Sequence, residues 1–184
     1  MKTKISQIVI GFFAVLILAV APAAVLAQGR VDTNPQLARR VRRELVTLPY
    51  YGVFDNLAYQ INDGTVTLYG DVVRSSTRSD AEGRVKRLPG VTRVVNNINV
   101  LPLSGFDDDI RRATFRSIAR MGGLYRYLQG TNPSLHIVVD RGHVALEGVV
   151  SNSNDRNLAY LAANRVPGVF SVKNNLRVEG SEPR

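Results

Sequence analysis

The sequence predicts an α+β fold: two tandem α-β-β-α-β units, each with two helices packed on a three-stranded mixed sheet. Three observations carry this. Slid along itself by 78 positions, the chain superposes residues 64–100 on 142–178 without a gap, and about 16 of roughly 37 positions are identical, which marks an internal duplication. Within each copy the apolar period alternates between four and two. Each copy also closes on the same phrase, LPGVTRVVNNINV from Leu88 and VPGVFSVKNNLRV from Val166.

Each unit opens with a helix, because Leu37, Val41 and Leu45 recur every four residues, as do Ile110, Thr114 and Ile118, giving one apolar stripe per helix. Asp107, Asp108 and Asp109 stand where an N-cap and first-turn acids belong. A period-two strand follows, with Leu57, Tyr59 and Ile61 on one face and Leu135, Ile137 and Val139 matching them. Gly64 in "NDG" and Gly142 in "DRG" close hairpins, since glycine accepts positive φ. The return strands TVTLYG and HVALEG lead to second helices capped near Ser75 and Ser153, with core stripes Ala81, Val85, Leu88 and Ala159, Ala163, Val166. Pro-Gly, ending in Gly90 and Gly168, stops each of them. In the last strand Val94, Asn96, Ile98 and Val100 alternate inward, with the asparagines placed to bond backbone near a sheet end. The units therefore span residues 35–101 and 107–179. The short connection LPLSGF holds them close, and the second has a longer loop, MGGLYRYLQGTNPS, after its first helix.

Residues 1–27 read as a cleaved signal peptide: Lys2 and Lys4, an apolar run, then small residues at Val25 and Ala27 before Gln28. The alternative is an uncleaved N-terminal anchor, because the run approaches the ~20 residues that cross a bilayer. The expected compartment is the periplasm. Of 24 basic residues, cleavage removes two and leaves 22 against 15 acidic, a net +7. Such a charge attracts anionic lipid headgroups or acidic proteins. Nucleic acid is not an expected partner, since an exported chain rarely meets it and no repeated aromatic offers bases a stacking platform.

The chemistry of catalysis is missing from the sequence. Without cysteine there is no disulfide, thiolate metal site or cysteine nucleophile. His136 and His143 are read as solvated strand residues with no third ligand fixed by spacing, so no metal is expected. The glycines of GTVTLYG bracket a strand instead of opening a helix, so they cannot cradle phosphate. The expectation is a non-enzymatic protein without cofactor.

The stretches DGTVTLYGDV and RGHVALEGVV, each followed by a helix and then PGV with an Asn-Asn strand, resemble the BON domain, from about Pro35 to Val178. The doubled copy is similar to dual-BON envelope proteins, including osmotically inducible periplasmic ones. The resemblance implies an α/β sandwich, no catalysis, and a role in binding phospholipid or maintaining the envelope. The chain departs from the lipoprotein members because it has no lipid-bearing cysteine.

Two functions follow: a module binding anionic phospholipid or the envelope surface, or a protein–protein adaptor in the periplasm. The oligomeric state is open. The aromatic loops PYYGVF and LYRYL either pack over helix ends or meet headgroups. Arg39, Arg40 and Arg43 lie opposite the apolar stripe of their helix with Arg42 at its margin, and Arg112, Arg116 and Arg120 form a similar face in the second unit. The copies diverge most usefully in their second helices. Asp80, Glu82 and Gly83 become Leu158, Tyr160 and Leu161. On a helical wheel Leu161 points away from the core, with Leu158 and Arg165 beside it, which suits an interfacial helix. Otherwise these leucines pack against the first unit. The candidate lipid- or partner-binding set is Leu158, Tyr160, Leu161, Arg165, Arg112 and Arg116.

Overall fold

The structure, a computed structural model, describes residues 35–180; the expected signal peptide lies outside them. No helix among the described residues is long and apolar enough to cross a membrane. The first unit runs α1 (Pro35–Val46), β1 (Asn56–Asn62), β2 (Thr65–Val72), α2 (Ser75–Lys86) and β3 (Arg93–Val100). The second runs α3 (Gly105–Arg120), a short 3-10 turn (Leu124–Tyr127), β4 (Leu135–Asp140), β5 (His143–Val150), α4 (Ser153–Asn164), β6 (Ser171–Asn174) and β7 (Arg177–Val178). Each unit is α-β-β-α-β with a mixed sheet: β1 and β4 are antiparallel to their neighbours β2 and β5, while β3 and the β6–β7 pair run parallel to them.

Two-residue hairpins join the antiparallel strands, with Asn62 paired to Thr65 and Asp140 to His143. Both central residues of each turn have positive φ: 50° and 74° at Asp63 and Gly64, 50° and 78° at Arg141 and Gly142. This is the mirror-image turn whose twist suits a hairpin. Helices cover one face of each sheet. Leu37, Val41 and Leu45 of α1 meet Ala81 and Val85 of α2 over Ile61, Val66, Leu68 and Ile98. In the second unit Ile110 and Ile118 meet Ala159, Ala162 and Ala163 over Ile137, Val139, Val144 and Leu146. The repeated asparagines tie sheet to helix. Asn96 Nδ2 donates to the Arg78 carbonyl at 3.1 Å and Asn174 Nδ2 to that of Arg156 at 3.0 Å, and their Oδ1 atoms accept from Ile98 and Leu176 N–H.

Several expected caps shift. Ser104 caps α3, its hydroxyl accepting from Asp107 N–H at 3.2 Å. Asp107 itself is buried, and its carboxylate accepts from Arg141 and Gly142 N–H at 2.9 and 2.8 Å. It therefore latches the helix to the hairpin, because the turn's N–H groups face the sheet end where α3 begins. Asn152, one residue before Ser153, caps α4, and Arg74 precedes α2 without a side-chain cap. The loop after α3 packs: Tyr127 is buried and donates to Asp155 Oδ2 at 2.6 Å, where Arg126 also pairs.

The two units touch. The loop after α1 lies along the free edge of β4, and Ile137 N–H donates to the Val53 carbonyl at 2.7 Å. Val53 and Phe54 join the second core, with Phe54 edge-on to Phe115 at 6.3 Å. β4 is in consequence buried on both faces from Leu135 to Val139. His136, expected to be solvated, is only 6% exposed: it has the outward parity, but the first unit covers it. Its Nδ1 lies 3.2 Å from the Gly52 carbonyl and its ring 5.6 Å from that of Tyr51. Burial pulls the imidazole below its ordinary pKa of 6.5, opposed by bonds at Gly52 and the nearby Asp55. The same burial pushes the Tyr51 phenol up to about 12. Asp55, 4% exposed, accepts from Gly52 and Val73 N–H; burial raises its carboxyl and those bonds partly offset the rise.

Candidate functional site

The second unit's helices carry the candidate site, and packing first decides which of their cations remain available. Arg111 is consumed internally: it is buried, donates to the Val139 carbonyl and pairs with Asp108, both at 2.6 Å. Arg112 pairs with Asp109 one turn back, with both side chains exposed. Arg116 and Arg120, one and two turns further along α3, meet no carboxylate among the described residues. Nor does Arg165, which follows the last turn of α4. These three line a groove of about 390 Å³ with Ser117, Met121 and Pro167, and no acid lines it. Its floor is set by the helix contact: the Ser117 hydroxyl donates to the Ala162 carbonyl at 2.8 Å, and the alanines let the helices approach.

Of the predicted residues, Arg116 and Arg165 therefore come together, joined by Arg120. Arg112 lies off this groove. It lines a neighbouring cleft of about 360 Å³ beside Val53, Phe54, Phe115 and Arg116, against the seam between the units. Leu161 is 45% exposed, one helical turn before Arg165, and Tyr160 is exposed as well. Leu158 is half-buried and packs on its own unit's core, because the small residues Ala159 and Ala162 leave space for it to lean inward. The apolar element of α4 is thus Leu161 with Tyr160. Gly64, Gly142, Gly90 and Gly168 all hold positive φ.

An exposed aromatic pair escaped the sequence reading. Phe106 at the start of α3 and Phe170 before β6 are 50% and 69% exposed, with ring centroids 6.0 Å apart. His143 lies edge-on to Phe170. The turn after α4 connects this pair to the groove: Pro167 lines the groove, and a Cβ at Gly168 would come within 3.2 Å of Phe106. The available signal was Phe170 standing where the first copy has Thr92. Among the described residues no three metal-ligating side chains gather.

The fold, with its two sheets each crossed by a Pro-Gly-terminated helix, agrees with the family comparison. The BON domain model matches residues 33–102 and 107–180, and the chain belongs to the BON domain family, a class of binding modules and not of catalysts. No curated protein matches the chain significantly. Among solved structures it is similar to the C-terminal domain of CdsD, a structural protein of the type III secretion system of Chlamydia trachomatis, at 12% identity over 81% of this chain and 98% of that one, with a TM-score of 0.31. A second CdsD structure from the same organism matches at 13% identity over 80% and 94%, with a TM-score of 0.29.

Proposed function

We propose that this is a periplasmic, non-enzymatic module that docks on anionic phospholipid through its second unit and serves envelope maintenance or osmotic stress. The observation that carries the reading is the groove where Arg116, Arg120 and Arg165 converge without a neutralising acid. Exposed Phe106 and Phe170 adjoin it, supplying apolar area beside cationic headgroup contacts. Each arginine near such a surface contributes about 1 kcal/mol.

Flotation with phosphatidylglycerol-containing vesicles tests this. The chain should float with them, release as salt rises, and ignore phosphatidylcholine vesicles. Arg116→Gln and Arg165→Gln should each weaken binding about fivefold. Failure to float, with a partner captured from envelope extract through the same groove, overturns the lipid reading in favour of the adaptor.

A further inference from the structure

A second cleft, of about 560 Å³, lies between the two units and is separate from the α3–α4 groove. Its size falls within the ~300–1,000 Å³ of small-ligand sites. Arg42 of α1 reaches it from the first unit and Arg177 of β7 from the second; Tyr51, Tyr59, His136 and Val149 line it between them. No Asp or Glu lines it, and neither arginine pairs with a carboxylate among the described residues.

The duplication shows how the cleft acquired its charge. In the first unit Asp71 and Asn99 are paired across neighbouring strands and satisfy each other, Asn99 Nδ2 donating to Asp71 at 2.9 Å. At the equivalent pair in the second unit stand Val149 and Arg177. The acid has become an apolar wall and its neutral partner a cation. His136 likewise replaces Ala58. These residues depart from the repeat where they line the cleft, and fold alone does not demand the change, since the first unit folds with the other set.

We propose that the cleft between the units binds a small amphipathic anion, a carboxylate or phosphate monoester with a short apolar body, its head held by Arg42 and Arg177 and its body against Tyr51, Tyr59 and Val149. Arginine suits either head because its planar fork donates two parallel hydrogen bonds. His136 completes the polar side. The Gly52 carbonyl can only accept, so the proton sits on Nδ1. Tyr51 and the neighbouring Asp55 are the other titratable groups packed against it. An anion in the cleft stabilises the doubly protonated ring and lifts its titration.

The test uses decanoate and decyl phosphate below micelle formation, with decanol as the uncharged control, followed by calorimetry and by NMR of the whole chain. Both anions should bind saturably, decanol much more weakly, with shifts at His136 and Tyr51 and an upward move of the His136 titration. Arg42→Gln and Arg177→Gln, both at exposed positions, should each weaken binding about tenfold while Arg116→Gln changes nothing. Equal binding of decanol, or shifts confined to the α3–α4 groove, or full affinity in both cleft variants, overturns the proposal; so does the absence of binding. Vesicle flotation is a separate readout, so either site can fail without the other.

Discussion

Ile137 donates its backbone N–H to the carbonyl of Val53 at 2.7 Å, so a loop of the first unit lies against the free edge of β4. An open edge is a liability that proteins cover, and here the covering loop brings Phe54 onto Phe115. The two units should therefore unfold as coupled bodies. A double-mutant cycle on Phe54→Ala and Phe115→Ala should give a coupling of about 0.5–1.5 kcal/mol in denaturant unfolding. Additive losses would show that the ring contact does not fasten the units.

This seam marks the limit of what the sequence discloses. The repeat, the period-two strands and the Pro-Gly stops suffice for the order of elements, because each is a local rule. Parity alone places His136 toward solvent. Parity tells which face a side chain takes but not whether a second body covers that face. The same reason explains Asp107: its cap-like position is local, whereas its bonds to Arg141 and Gly142 cross 34 and 35 residues. At the candidate site, helical spacing sufficed to place Arg116 and Arg120 on one face. The approach of Arg165 depends on how closely α4 packs on α3, which no spacing rule contains.

Stability should fall as pH is lowered through the histidine range. The folded imidazole of His136 titrates below its unfolded value of 6.5 because burial disfavours the charge, so the unfolded chain binds the extra proton. The loss begins near that value and proceeds downward until the folded group titrates. Asp55 acts in the opposite sense: its raised carboxyl makes the folded state take up a proton first, restoring stability as pH approaches the ordinary value of 3.8 from above. Unfolding midpoints from about pH 8 to about pH 5.5 should drop in the native chain and drop less in His136→Gln. Equal slopes would place the titrating group elsewhere.

Two glycines on the same hairpin should differ in what they tolerate. A Cβ at Gly148 would lie 2.0 Å from the Ser134 carbonyl oxygen, a backbone atom of the residue leading into β4. At Gly142 it would meet the ring of Phe170 at 2.7 Å, an exposed side chain that can swing aside. Gly142→Ala should cost about 1–2 kcal/mol for its left-handed backbone. Gly148→Ala should cost about 3 kcal/mol or more, because strands must part. Thermal or urea unfolding ranks them, and the reverse order would contradict the register in which Leu135 pairs with Gly148.

Leu161 and Gly83 occupy the same position in the two copies, and they separate lipid docking from folding. Leu161 is 45% exposed and packs on neither core. A Cβ at Gly83 would find nothing nearer than a terminal nitrogen of Arg87 at 3.9 Å. Aspartate at either position adds the same charge to a helix surface, so differences in binding report which helix meets the membrane. Leu161→Asp removes apolar area one turn from Arg165 and brings a carboxylate beside the cation the headgroup needs. Flotation with phosphatidylglycerol vesicles should weaken by at least about tenfold, with unfolding still cooperative. Gly83→Asp should leave flotation close to that of the native chain. If Leu161→Asp floats normally while Arg116→Gln and Arg165→Gln do not, headgroup contact is electrostatic alone and α4's apolar face meets a protein instead. If both aspartates weaken flotation equally, the loss follows net charge and no particular helix docks.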